Sequence, residues 1–176
     1  MDIRPATTAD IPALHRLVER AYRGDSARNG WTHEADLLGG QRTDVEALGD
    51  MIADPSQRIL LAIGANGLVG CVQVSQKNAD TAYLGLLSVD PDVQAGGLGK
   101  DLIVAAERTA QIEFSASKME MTVIRQRSEL IAYYERRGYT LTGETRLFPH
   151  DDERFGLPVT RELSFVVLAK CLFLGG

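Results

Sequence analysis

A chain of 176 residues, 44% apolar and 24% charged, has the balance of a soluble globular protein and is long enough to bury a real core. Its net charge of −5 argues against a general nucleic-acid binder, and no apolar run approaches the roughly 18 residues that a membrane span requires. Cys71 and Cys171 form no CxxC, so neither a disulfide framework nor a zinc cluster is suggested, and "MDIRPATTAD" lacks the basic and apolar segments of a signal peptide, which together predict a cytoplasmic protein.

In chain order, "DIRPA" predicts a short strand ending at Pro5. "TADIPALHRLVERAYRG" predicts a helix capped by Thr8, with Pro12 in its opening turn and an apolar stripe of Ile11, Leu14, Val18, Ala21 and Tyr22. "WTHEADLLGGQR" reads as irregular, followed by a helix from about Thr43 to Ile52. Next come two strands in "RILLAIGANGLVGCVQVSQ", joined by a hairpin turn at Asn66-Gly67, where positive φ is wanted at both positions. "AYLGLLSV" is a third strand of this meander and its apolar content places it centrally. The helix from Gly97 to Ile112 buries Leu98, Leu102, Ile103, Ala106 and Ala110, and "MEMTVI" is a strand again. A long helix between two apolar strands implies a parallel crossover. "SELIAYYERRGY" predicts a shorter helix with Ser128 as cap and Gly138 as terminator, and "YTLTGE" and "LSFVVLAK" predict two last strands. The fold class is therefore α/β, with helices on a mixed sheet.

The stretch joining the third strand to the long helix, "QAGGLGK", combines Gln94, Ala95, Gly96, Gly97, Leu98, Gly99 and Lys100. Backbone N–H groups at a helix start have no intrahelical partner, and with the helix dipole they favour an anion. Glycine lets a diphosphate approach the main chain, and Lys100 adds positive charge. A Walker A loop is excluded, because Asp101 follows Lys100 and Gln94 occupies the position of its first glycine. A dinucleotide GxGxxG turn is absent too.

What the segment does present is Q-x-x-G-x-G, at Gln94, Gly97 and Gly99, after a strand ending in Val-Asp-Pro at Val89 to Pro91. With "IRPATTADIPAL" near the start and "LIAYYERRGY" late in the chain, it resembles the GNAT superfamily of acyl-CoA-dependent N-acetyltransferases over most of its length. The resemblance implies one N-acetyltransferase domain over residues 1–176. Its mixed, mostly antiparallel sheet would have six to seven strands splayed at the middle, flanked by about four helices.

The resemblance also implies acetyl-CoA as co-substrate, its arm lying in the splay against the backbone of Leu87 and Val89, and Tyr134 as the group that protonates the departing thiolate. A phenol, with an ordinary pKa of about 10, stays protonated at neutral pH and can donate. Relatives carry an asparagine before the last helix, where this chain has "RQRS". Arg127 is the candidate to replace its contact with the arm, and Arg125 to face an acidic group on the acceptor. For the base, "AYLGLLSV" offers no carboxylate, and Glu120 is set aside as lying at the start of its strand, away from the splayed end. Glu34 is the candidate base, with Trp31 as an apolar wall and His33 as a second group able to receive or orient the amine. The acidic "HDDERFG", His150 to Gly156, would shape the same pocket. No metal is expected, because no His/Cys/Asp cluster has ligand spacing.

The expected partner is an amine acceptor, a small molecule or a peptide, with neither nucleic acid nor membrane; the apolar "LSFVVLAKCLFL" suggests a homodimer surface. A non-catalytic acyl-CoA sensor or scaffold is the alternative, which the absent strand carboxylate favours and the retained Tyr134 disfavours.

Overall fold

The computed structural model describes residues 2–22, 38–39, 44–147, 157–158 and 164–172. Its elements are β1 (Asp2–Pro5), α1 (Ile11–Tyr22), β2 (Leu38–Gly39), α2 (Val45–Ala53), β3 (Gln57–Gly64), β4 (Gly67–Gln76) and β5 (Thr81–Val89). They continue with α3 (Leu98–Phe114), β6 (Lys118–Ile124), α4 (Ser128–Arg136), β7 (Thr140–Leu147), β8 (Leu157–Pro158) and β9 (Ser164–Cys171). Seven strands share one sheet in the order β1-β3-β4-β5-β6-β9-β7, so β5 is central as its apolar content requires. Every pair is antiparallel except β5 with β6, the parallel junction that the long helix implies.

Each face of the sheet has its own core. Leu14, Leu17 and Val18 of α1 and Leu48 of α2 pack with Ile59, Leu61, Cys71 and Leu86 on one side. On the other, Leu98, Leu102, Ile103, Ala106, Ala110 and Phe114 form the buried stripe of α3 and meet Val72, Leu84, Met119 and Met121. Gly70 lets α3 lie this close, since a Cβ there would stand 2.9 Å from Leu102 Cδ1. Leu130, Ile131 and Tyr133 bring α4 onto the same core.

Several local expectations are corrected. Gly64 pairs with Gly67, so the hairpin turns at Ala65-Asn66 rather than Asn66-Gly67, and only Gly67, at φ +117, takes a positive φ. Thr7, not Thr8, opens the first helical segment. Its hydroxyl and backbone both meet Asp10, and Thr8–Asp10 form a 3-10 turn ahead of α1. Arg127, not Ser128, is the N-cap of α4, and Asp44 caps α2 by accepting from Ala47 N–H at 2.6 Å. The pairing of β2 with β8 was not foreseen. The C-terminal apolar run supplies β9, flanked by β6 and β7. Val167, Leu168 and Leu172 are buried, so these apolar residues of the run serve the core. Among the described residues, no helix is long and apolar enough to cross a membrane.

Candidate functional site

The β5–β6 junction is short. Thr81, Ala82 and Tyr83 pair with Lys118, Met119 and Glu120, and there the ladder ends. Beyond it the strands diverge, opening a cleft lined by Tyr83, Leu84, Gly85, Leu86 and Leu87 of β5 and by Met121, Thr122, Val123 and Ile124 of β6, with Leu130 and Tyr134 of α4. The divergence begins near a β-bulge. Gln73 faces Gly85 and Cys71 faces Ser88, so Leu86 and Leu87 share the single position opposite Val72. Leu86 has φ +52, a left-handed conformation that costs a leucine about 1–2 kcal/mol. Its carbonyl accepts from the Cys71 thiol at 3.4 Å and the Ser88 hydroxyl at 3.1 Å, which fix the kink.

At its C-terminal end β5 runs into a 3-10 turn, Pro91–Gly96, and then α3. Asp90 caps the turn, and Arg20 of α1 holds Asp90 at 3.0 Å. Gly97, at φ +74, is the left-handed residue that lets the chain change direction into α3. The first intrahelical bond runs from Asp101 N–H to the Gly97 carbonyl, which leaves the N–H groups of Leu98, Gly99 and Lys100 without partners inside the helix. A Cβ added at Gly96 or Gly97 would meet nothing within 4 Å, whereas one at Gly99 would stand 2.7 Å from the Tyr133 hydroxyl. Gly99 is therefore a packing glycine, while Gly96 and Gly97 leave the main chain open at the helix start. Gln94 and Ala95 contribute backbone to this turn.

Tyr134 is buried at 5% exposure and stands edge-on between Tyr133, at 5.5 Å, and Tyr139, at 6.1 Å. The structure thus brings Tyr134 and Leu87 to one cleft and sets Val89 at the end of the same strand. Burial raises the Tyr133 phenol above its ordinary value. It raises the Tyr139 phenol too, with the Glu107 carboxylate that its hydroxyl meets at 2.9 Å adding to the effect. Arg127 is 2% exposed beneath the start of α4, with Nε 3.4 Å from Glu129, while Arg125 is exposed and its Nε donates to Ser164 Oγ at 3.3 Å. The two arginines of "RQRS" thus part company: one supports the helix start and the other faces solvent.

Trp31, His33, Glu34 and the acidic stretch His150 to Gly156 lie outside the described residues. Glu120 stands nearer the opening than its place in the strand implies, at the last rung of the β5–β6 ladder. It accepts from Lys77 Nζ and Arg146 Nη2, each at 2.6 Å. Desolvation would raise its carboxyl, but the bonds and charges of these two cations outweigh it and hold the group below the ordinary value. A carboxylate so occupied is a structural anchor rather than a base. Among the described residues, no group of three or more His, Cys, Asp or Glu is placed to hold a metal.

Sequence reasoning missed a groove beside the helix start, lined by Lys100, Ile103, Val104 and Glu107 of α3, by Arg136 and Arg137, and by Lys170. Glu107 engages Lys170 at 3.0 Å, and Arg137 stacks over the Tyr133 ring at 5.0 Å. The signal available was "ERRGY" at the end of the helix that also carries Tyr134. The hydroxyl pair of Tyr83 and Thr122 at the foot of the cleft was missed as well.

A family profile described as acetyltransferase (GNAT) domain matches residues 32–150. No curated protein matches the chain. Among solved structures, the chain is similar to a ribosomal-protein-alanine N-acetyltransferase from Brucella melitensis, with 19% identity over 98% of this chain and 100% of that one, at a TM-score of 0.72. It is also similar to yncA, a putative acetyltransferase from Salmonella typhimurium solved with acetyl-CoA, with 19% identity over 100% and 96% and a TM-score of 0.70. A spermidine N-acetyltransferase from Vibrio cholerae shares 16% identity over 98% and 95%, at a TM-score of 0.67. At these identities the likeness is one of fold.

Proposed function

The chain belongs to the GNAT acetyltransferases, and from that premise we propose that residues 1–176 act as one domain that transfers an acetyl group from acetyl-CoA to a primary amine of a small molecule or peptide. The observation that carries this is the meeting of three features: a forked parallel junction, a helix start opened by Gly97, and Tyr134 on the wall of the fork.

The fit to an acyl-CoA is tested by the helix start. The N–H groups of Leu98, Gly99 and Lys100 lack intrahelical partners, no side chain crowds Gly97, and Lys100, Arg136 and Arg137 flank the groove beside it. These are the needs of a diphosphate-bearing ligand. The diverging edge of β5 from Leu87 to Val89 offers main-chain groups to a pantetheine arm, as an added strand would use them. When bound, acetyl-CoA supplies the acyl carbon and a thiolate leaving group.

The chain's own residues do the remainder. Tyr134 donates a proton or hydrogen bond toward the sulfur, and the backbone near Val89 donates to the developing oxyanion. Glu34, with His33, takes the proton of the amine; Trp31 walls the acceptor site and Arg125 meets an acidic group on the acceptor. Neither Cys71, which is buried on the α1 side, nor Cys171, at the end of β9, lies on the cleft, which favours direct attack over a covalent acyl-enzyme.

The test is an acceptor screen that detects released thiol, paired with calorimetry of acetyl-CoA binding. Tyr134→Phe is expected to keep acetyl-CoA affinity within about threefold while turnover falls by roughly a hundredfold or more. Unchanged turnover removes Tyr134 from the chemistry. One observation favours a second reading, a non-catalytic acyl-CoA sensor: the described lining of the cleft carries no carboxylate. Binding of acetyl-CoA without transfer to any amine would establish that reading.

A further inference from the structure

The foot of the fork is closed by two hydroxyl groups with no part in the mechanism above. Tyr83 opposite Glu120 is the last rung of the β5–β6 ladder. The Tyr83 hydroxyl then crosses the gap to Thr122 Oγ1, and both residues line the cleft with Tyr134. Strand alternation sends Ala82, Leu84, Met121 and Val123 into the core under α3, so Tyr83 and Thr122 project from the opposite face. Their bond is a side-chain staple set just beyond the last backbone pairing.

Paired strands stand about 4.8 Å apart, too close for an alkyl chain to pass between them. The usable depth of the fork therefore ends at the staple. A ligand anchored at the start of α3 runs back along β5 from Val89, and that strand covers about 20 Å between Val89 and Tyr83. The acyl group is the far end of such a ligand, the part that approaches the staple.

The staple is also backed. A Cβ at Gly85 would stand 3.1 Å from Gln73 Oε1 and 3.4 Å from Tyr83 Cε1, and the Gln73 amide is itself bonded to Gln57. Glycine inside a central strand marks a place where another group comes close, and here the Tyr83 ring occupies that space. Tyr83 has little room to swing away.

We infer that the Tyr83–Thr122 bridge, backed by Gly85 and Gln73, is the floor of the acyl pocket and restricts the chain to short acyl groups. This rests on the acyl-CoA reading above and adds to it the residues that set the size of the transferred group.

Calorimetric titration of the full chain with CoA, acetyl-CoA, propionyl-CoA and butyryl-CoA reads the floor without knowledge of the acceptor. The unmodified protein should bind butyryl-CoA about tenfold more weakly than acetyl-CoA, or worse, the discrimination that a shaped apolar pocket exerts on added methylenes. Tyr83→Ala removes the bridge and the ring and should bring the ratio to within about threefold, whereas Thr122→Val, which removes the bridge but keeps the volume and leaves the ring backed by Gly85 and Gln73, should retain most of the discrimination. Gly85→Ala, pressing on the Tyr83 ring, should widen it. Melting curves establish that each variant is folded. Equal affinity for acetyl-CoA and butyryl-CoA in the unmodified protein, or an unchanged ratio in folded Tyr83→Ala, overturns the inference while CoA binding stands. Failure to bind CoA itself overturns the acyl-CoA reading and the floor together.

Discussion

Glu120 is 5% exposed, yet it carries a charge because Lys77 and Arg146 both reach it from strand ends that lie apart in sequence. A Glu120→Gln variant leaves those two cations facing a neutral amide, and since each is itself about a third exposed they can turn to water. The expected loss is about 1–3 kcal/mol, read as a lower denaturation midpoint. The pH dependence has a definite sign. A carboxyl held below its unfolded value means the unfolded chain binds more protons, so this stability is complete above the ordinary value of 4.5 and is lost as pH falls through the lower folded one. Asp10, held well below the carboxylate range by its bonds to Arg4, acts in the same direction. Thermal melts from pH 7 down to pH 3 should show a decline below about pH 4.5 that is shallower in Glu120→Gln. None of this is legible in the sequence, because Glu120 meets partners 43 and 26 residues away whose register only the folded sheet defines.

The start of α3 separates two kinds of glycine. At Gly97 the backbone is left-handed and the space beside it is empty, so Gly97→Ala should cost about 1 kcal/mol of stability and weaken CoA by about tenfold, the larger effect being on the ligand. At Gly99 a methyl group would press on the Tyr133 hydroxyl. Gly99→Ala should therefore lose about 1 kcal/mol of stability, overpacking outweighing the gain in helix propensity, with little change in affinity. Melting curves and CoA titrations on the two variants check the contrast. The element itself is readable from sequence. Leu98, Leu102, Ile103, Ala106 and Ala110 repeat on one helical face, and all are buried. The glycine-rich turn is readable for the same reason, since chain reversal into a helix leaves few alternatives. What the sequence hides is the bulge at Leu86, where a leucine takes a conformation that its side chain disfavours and only the neighbouring strands enforce it. The hairpin turn fails differently: Asn66-Gly67 carries the right residues, but pairing of Gly64 with Gly67 moves the loop back by one position.

In the sheet as a whole, the halves β1-β3-β4-β5 and β6-β9-β7 are joined by three residues on each side of one ladder and by the helices that bridge them. A ligand laid along β5 beyond the last β5–β6 rung would bridge the two halves where their ladder has ended, and it should stiffen both together. CoA at about a hundred times its dissociation constant should add about 2.7 kcal/mol and raise the melting midpoint by roughly 5–10 °C. Amide exchange should slow most at residues 86–89.

The strand order has one more consequence. β9 lies between β6 and β7, yet it follows both in the chain. While the polypeptide emerges from the ribosome, β6 and β7 are made first and cannot reach each other, and each waits with an unpaired edge until residues 164–171 arrive to fill the slot. Nascent chains are thus exposed to aggregation until β9 has been made, and the quality of that strand decides how many of them escape it.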